Sequence, residues 1–336
     1  MSKSSKSILV TGGAGYIGSH IVEQLIKNKE KVIILDNLVT GYKKLINKKA
    51  KFIKADIKNK STIVKIIKKN NISSIVHLAA YLNVNEAEKN KKKYYENNII
   101  GTKNLLEACK ESNVKNIIFS SSCSIYGNVK GSVSENKKPN PQGYYAYTKF
   151  KGEELIKKYS KNNNCKYVIL RYFNVAGASP SNKIGQIEKS HGQLIKNIAI
   201  QYLKKKPLIN IYGKDYTTKD GTCIRDYIHV SDLANIHIKC INYLEKNKKS
   251  IILNCGYGKG YSVQQIVNIF KKIKNNVKVQ YQKRRPGDIA QVYANTKKFK
   301  KILRWKPKYN DIKLIIKSAI NWEKKLNSIS YYNYFC

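Results

Sequence analysis

The sequence predicts an α/β fold in which a parallel sheet carries helices on both faces, with a smaller C-terminal α/β lobe. Three observations carry that expectation. Short apolar runs alternate with helical patterns through the first half of the chain, the signature of βαβ units. A glycine-rich turn joins the first apolar run to the first helical pattern. After about residue 177 the rhythm changes to a long polar loop (177–192) and shorter, less regular elements. The expected division is a first domain over 1–176 and a second lobe over 177–336, from which a strand or helix can return to the first.

The strands follow in order as "SILV" (7–10), "KVIILD" (31–36), "KFIKAD" (51–56), "SIVHLAA" (74–80), "NIIFSSS" (116–122) and "YVILRYFNV" (167–175). Their Ile and Val content and near-continuous apolar character suit strands covered on both faces. Between them, "IGSHIVEQLIKN" (17–28) and "IIGTKNLLEACKES" (99–112) place apolar residues at i, i+3 and i+4, which gives each helix one buried stripe.

Composition narrows the function classes. A chain of 336 residues with 42% hydrophobic residues can bury a large core. No apolar run approaches the roughly 18 residues of a membrane span. The start "MSKSSK" has no apolar signal segment behind it, so the expectation is a soluble, cytoplasmic protein without a membrane partner. Seven cysteines form no C-x-x-C pair and five histidines are scattered, so neither a disulfide framework nor a metal is expected. The net charge of +44 invites a nucleic-acid reading. Lysines, however, are spread through nearly every segment, beside the Asn and Ile that A/T-rich codons also favour. No specific nucleic-acid partner is expected.

Directly after the first strand, "TGGAGYIGSH" sets Gly12, Gly15 and Gly18 in a G-x-x-G-x-x-G run that opens into a helix. Glycines allow the tight turn and let the backbone approach a pyrophosphate, whose charge sits at the helix N-terminus. With a strand before it and a helix after it, this is the fingerprint of a Rossmann-type dinucleotide site. Asp36 ends the second strand, where a carboxylate accepts from the adenosine ribose hydroxyls and repels a 2′-phosphate. NAD is therefore expected, not NADP. Asp56, closing the third strand, is a candidate contact to the adenine.

The stretch "QGYYAYTKFKGEE" (142–154) holds three tyrosines. On a helix Tyr145 and Lys149 share a face at i, i+4, whereas Tyr144 pairs with Thr148 and Tyr147 with Lys151. That spacing selects Tyr145 as a catalytic acid/base. A free phenol titrates near pH 10, and a neighbouring ammonium and a positive nicotinamide ring both favour phenolate. The phenolate can take a hydroxyl proton while a hydride leaves the same carbon. From "FSSSCSIYG", Ser122 is the candidate hydrogen-bond partner of the reacting oxygen, with Ser121 and Ser124 as neighbouring alternatives.

The segments "TGGAGYIGSH", "VIILDNL", "HLAA", "NNIIGT", "FSSSCSIYG", "YYAYTK", "LRYFNVAGA", "DGTCIRDYIHV" and "RRPGD" together resemble the extended short-chain dehydrogenase/reductase family. Within it, the resemblance is to the nucleotide-sugar 4-epimerases, over residues 7 to about 325. It implies a Rossmann-type doubly wound sheet, retained NAD, a UDP-sugar substrate and a homodimer. The implied reaction interconverts UDP-galactose and UDP-glucose through a 4-keto sugar. The implied cofactor site comprises Gly12, Gly15, Tyr16, Ile17, Gly18, Asp36, Asn37, Asp56, Ile57, Leu78, Ala79, Ala80, Asn97, Ser120, Tyr145, Lys149 and Tyr172. On the substrate side it implies Ser122 and Tyr145 at the sugar, Asn174 on the sugar nucleotide, Gln193 and Leu194 in a substrate loop, and Asn210 and Tyr212 beside uracil. Arg225 and Arg285 would face the pyrophosphate, for which the guanidinium fork is suited, and Asp288 the uridine ribose.

Some positions depart from the family pattern. Tyr144 stands where a proline often precedes the catalytic tyrosine, and Leu82 where some members carry a lysine. Val292 falls where a bulky aromatic residue narrows the sugar pocket in some epimerases, and its small side chain leaves room for an N-acetyl group. A UDP-glucuronate epimerase is the rival enzyme. A 4,6-dehydratase would need an Asp-Glu pair where this chain has Cys123 and Ser124. Outside catalysis, the rivals are an NAD-binding regulator or an RNA-binding protein on the same scaffold. Intact Ser122, Tyr145 and Lys149 speak for an enzyme.

Overall fold

The computed structural model describes residues 6–187, 193–246, 249–285 and 288–328. Strands β1 (Ser7–Thr11), β2 (Lys31–Asp36), β3 (Lys51–Lys54), β4 (Ile72–His77) and β5 (Asn116–Ser122) alternate with helices in the first part of the chain. Those helices are α1 (Tyr16–Lys27), α2 (Lys60–Lys69), α3 (Val84–Lys89), α4 (Lys91–Tyr94) and α5 (Gly101–Glu111). Then come β6 (Lys130–Val133), the long helix α6 (Tyr144–Asn163), β7 (Lys166–Tyr172) and β8 (Asn174–Ala176). Next are α7 (Leu194–Tyr202), β9 (Leu208–Tyr212), β10 (Ile224–His229), α8 (Val230–Lys246), β11 (Ile251–Cys255) and β12 (Gly260–Ser262). The chain continues through α9 (Val263–Lys271), β13 (Lys278–Gln282), β14 (Gln291–Ala294), α10 (Lys297–Leu303) and α11 (Ile312–Ser328).

Seven strands form one parallel sheet in the order β3-β2-β1-β4-β5-β7-β11. This is the doubly wound arrangement, whose ligand crevice opens at the carboxyl ends of the strands where the order reverses, between β1 and β4. Strand side chains alternate between two cores, as a period of two requires. Val10, Ile34, Val76, Ile118 and Leu170 pack on one side with Ile21 and Leu25 of α1 and Leu233 and Ile236 of α8. Leu9, Ile33, Ile75, Ile117 and Ile169 pack on the other with Ile66 of α2, Leu105 of α5 and Ile156 of α6.

The two halves of the chain exchange strands. β11 joins the large sheet at its edge, and β6 pairs with β14 in the smaller sheet β12-β10-β14-β6, where β8 also pairs with β10. The apolar run 167–175 is thus two strands. Tyr172 ends β7, Phe173 donates its amide to Cys255 O at 3.1 Å, and Asn174–Ala176 pair with Tyr227–His229. Periodicity does not register this switch, because the run stays apolar while the chain changes sheets. The strands expected over 51–56 and 74–80 stop at Lys54 and His77, which leaves Asp56, Leu78, Ala79 and Ala80 in loops at the sheet's carboxyl edge. The helix expected over 99–112 begins instead as a π-turn, Tyr95–Ile100, that runs into α5. Among the described residues no helix is long and apolar enough to cross a membrane, and no group of three or more His, Cys, Asp or Glu could hold a metal.

Candidate active site

The cradle between β1 and α1 is built by the absence of side chains. Gly15 is the N-cap of α1, so no side chain satisfies the first helix amides. Gly12 takes φ +73°, and a Cβ there would lie 2.8 Å from the Ala79 amide nitrogen. A Cβ on Gly18 would overlap the Gly12 carbonyl. The turn, the Leu78–Ala79 loop and the start of α1 meet backbone to backbone, a geometry suited to an anion.

Beside the cradle, Asp36 is buried and accepts from Ala14 N at 3.0 Å and Leu38 N at 2.8 Å. Burial raises its carboxyl above the ordinary range, opposed by those two amides. A carboxylate offers about four acceptor sites, so positions remain for ribose hydroxyls. Asn37 donates to Asp56 at 3.1 Å and the Lys58 amide donates to it at 2.8 Å, with Ile57 buried behind. These residues fit NAD: an amide-lined turn for the pyrophosphate and a fixed acid for the ribose.

At the carboxyl end of β5, three consecutive serines meet three successive turns of α6. The Ser120 carbonyl accepts from Lys149 Nζ at 2.9 Å. Ser121 Oγ donates to Glu153 Oε1 at 2.6 Å. The Ser122 hydroxyl faces the Tyr145 phenol and lowers its proton affinity, and it accepts from Ser124 N at 3.1 Å and Ser124 Oγ at 2.9 Å. The three serine candidates are thereby separated. Ser122 reaches the phenol, Ser124 supports Ser122, and Ser121 is committed to Glu153.

The electrostatics correct one expectation. Tyr145 is half-buried, and the protein packed around its phenol raises it above its ordinary value, a rise that the Ser122 bond opposes. Burial pushes the Lys149 ammonium down to about 7. The same cause disfavours the charge on both groups. Lys149 was expected to carry the phenol toward neutrality, but here its Nζ is engaged by the Ser120 carbonyl. The pairing of Tyr144 with Thr148 is also replaced. Tyr144 packs on Tyr147 at 5.6 Å, and Thr148 accepts from Asn98 at 3.1 Å while donating to the Tyr145 carbonyl. Tyr147 does lie under Lys151, at 5.7 Å.

The π-turn buries Asn97 and Asn98, and π-turns often mark functional positions. Asn97 donates to Asn98 Oδ1 at 2.9 Å, and Asn98 ties the Tyr81 backbone to Thr148 on α6. Asn98, Glu153 and Glu88, whose carboxylate accepts from Tyr144 N at the start of α6, went unnoticed in the sequence. Asn98 and Glu153 showed only as polar residues beside or on a stripe already assigned to the site, and Glu88 gave no signal. Tyr172 is buried with its hydroxyl bonded to His237 Nε2 at 2.7 Å, so its ring is what it can offer a ligand. His20, His77, His229 and His237 are buried and pushed down to about 4, 3, 3 and 4, in keeping with packed histidines; His191 lies outside the described residues.

In the smaller sheet, Arg225 of β10 pairs with Asp288 at 3.1 Å and donates to the Ile224 and Ile289 carbonyls. The Arg285 guanidinium lies 3.9 Å from the Tyr212 ring centroid. Asn174 and Asn210 are exposed, on β8 and β9. Gln193 is the N-cap of α7 and Leu194 its first residue. Val292 is 4% exposed and packs with Ile125, Tyr126 and Phe173.

A model of the NAD dependent epimerase/dehydratase family matches residues 8–256. The chain belongs to that family. It is similar to UDP-glucose 4-epimerase of Lactobacillus helveticus, 39% identical over 320 residues that cover 94% of this chain and 97% of the relative. Among solved structures it is similar to UDP-glucose 4-epimerase from Brucella ovis in complex with NAD, with TM-score 0.88, 34% identity and coverage of 94% and 97%. It is also similar to the UDP-Glc/GlcNAc 4-epimerase from Campylobacter jejuni, with TM-score 0.83, 39% identity and coverage of 95% and 99%. The family's cofactor is NAD, for which the cradle and Asp36 are fitted.

Proposed function

We propose that this chain is an isomerase that inverts C4 of UDP-hexoses, interconverting UDP-galactose and UDP-glucose with NAD retained. The observation that carries the reading is the convergence of Ser122, Tyr145 and Lys149 at the carboxyl end of β5, in the same sheet whose first strand opens into the glycine cradle. When bound, NAD supplies a reversible hydride acceptor at the sugar carbon and a positive ring that favours phenolate. Tyr145 takes the proton of the 4-hydroxyl and later returns one to the 4-keto oxygen. Ser122 donates to that same oxygen. Burial disfavours the phenolate and the ammonium alike, so Tyr145 stays a phenol at neutral pH until positive charge is bound beside it.

Arg225 and Arg285 hold the pyrophosphate while the sugar turns over, Asp288 the ribose, Asn210 and Tyr212 the uracil. Asn174, Gln193 and Leu194 complete the nucleotide site. The cofactor residues are those named from the sequence, Asn97, Ser120, Lys149 and Tyr172 among them. Val292 leaves space for an N-acetyl group, a reading supported by the similarity to the Campylobacter enzyme. An unchanged ratio of N-acetylated to plain substrate turnover in Val292→Tyr would remove that support. A second copy packs against the helices beside α6, where Tyr95 and Tyr147 are exposed. Six described cysteines are free thiols, which suits the reducing cytoplasm.

The test is conversion of UDP-galactose by the purified chain with no NAD added, with Tyr145→Phe alongside. Turnover that collapses in the variant supports the enzyme, the acid/base and the retained cofactor together. No turnover even with NAD supplied, alongside turnover of UDP-glucuronate, would replace this substrate assignment.

A further inference from the structure

We propose that Ser121 and Glu153 are positioning residues, which set the end of β5 against α6 so that Ser122 meets Tyr145. The inference rests on the reaction proposed above and adds to it a part of the chain that touches neither substrate nor cofactor. Glu153 is 0% exposed and Arg171 2%. Glu153 Oε1 accepts from Ser121 Oγ at 2.6 Å and Arg171 Nε at 2.9 Å, while Oε2 accepts from Arg171 Nη2 at 2.8 Å. A fork-to-fork pair of this kind fixes orientation as well as distance.

The guanidinium is itself held. Its Nη1 donates to the Tyr126 hydroxyl at 2.8 Å and the Glu135 carbonyl at 3.3 Å, and Tyr126 donates on to Asn254 at 2.7 Å. Arg171 of β7 stands in register beside Ser121 of β5. The carboxylate therefore bridges two adjacent strands and the helix laid across them. Buried ion pairs are seldom more stabilising than packed apolar residues of the same volume. A stability role is thus a poor account of one placed here, and an alignment role is a better one.

What is aligned follows from the spacing. Tyr145, Lys149 and Glu153 fall four residues apart on one stripe of α6. Tyr145 faces Ser122, while Lys149 and Glu153 hydrogen-bond Ser120 and Ser121. The first two contacts lie in the proposed chemistry, and the third anchors the strand that carries them. A displacement of about 1 Å at reacting groups can lower a rate by about 100-fold.

Ser121→Ala removes one hydroxyl from a strand whose backbone pairing is otherwise intact. The expected result is a kcat for UDP-galactose lower by about 10-fold or more, with KM within about twofold and an unfolding midpoint close to native. The deuterium isotope effect on kcat with 4-deuterated substrate should rise, since misalignment slows the bond-breaking step. Native kcat and native isotope effect in the variant would overturn the inference alone. A loss of kcat that merely follows the unfolded fraction would overturn it too. Absence of turnover by the native chain would overturn both this inference and the reaction on which it rests.

Discussion

Replacing the lysine of the site, Lys149→Met, should yield a protein that is more stable and far less active. Burial pushes the folded-state ammonium down to about 7 from 10.5. Above pH 10.5 the amine is neutral in both folded and unfolded chains, and no charge is buried. Below pH 7 it is charged in both, and the folded state carries the full cost of a desolvated ammonium. Between those limits the unfolded chain binds more protons, so stability falls as the pH drops from 10.5 toward 7. The gap between the two values is worth about 5 kcal/mol at and below pH 7. Methionine fills similar space without the charge, but leaves the Ser120 carbonyl without its donor, which costs about 1–3 kcal/mol. The net expectation is a gain of about 2–4 kcal/mol at pH 6 that vanishes or reverses by pH 10. Urea unfolding of both cofactor-free proteins at pH 6, 8 and 10 would measure it, and the buried histidines largely cancel in the difference. A variant less stable than native at pH 6, or a difference that does not change with pH, would show that desolvation does not govern this lysine.

Three further outcomes are expected. Gly18→Ala, whose methyl would overlap the Gly12 carbonyl, should purify with less bound NAD and bind added NAD at least about 10-fold more weakly, as read from absorbance and fluorescence titration. Glu323→Leu should destabilise by about 3–5 kcal/mol, because it leaves the buried Lys196 ammonium of α7 without its partner on α11. Adding Lys196→Met should recover most of that loss in the same urea assay, and a double variant as weak as the single would contradict it. Asp36→Ala should weaken NAD binding by roughly 10–100-fold, the range for lost bonds to a charged acceptor, and narrow the preference over NADP.

The central sheet was legible because its signals are local. Six of its seven strands overlap an expected run, though three of those runs end early, while β11 had no run of its own; the glycine turn announces the cradle by what a Cβ would block. The stripe proposed as catalytic was legible for the same reason, since i, i+4 spacing on a helix brings Tyr145 and Lys149 to one face wherever that helix packs. The break after Tyr172 was not, because an apolar run reads alike whether it stays in one sheet or crosses to another. Ser122 is the candidate from the sequence, but Ser121 and Ser124 stay open beside it, since identical side chains carry no information about which turn of α6 each will meet.

By itself, then, the sequence determined the βαβ order, the dinucleotide turn, the acid at Asp36 and the face shared by Tyr145 and Lys149, all matters of short-range sterics and periodicity. Tertiary packing decided the rest: that Ser121 is tied to Glu153 and Arg171, that Lys149 donates to the Ser120 carbonyl, and that phenol and ammonium both resist charge. Those outcomes depend on which groups are buried together. Desolvation and long-range hydrogen bonds act between residues far apart in the chain, so their balance exists only once the fold has closed around them.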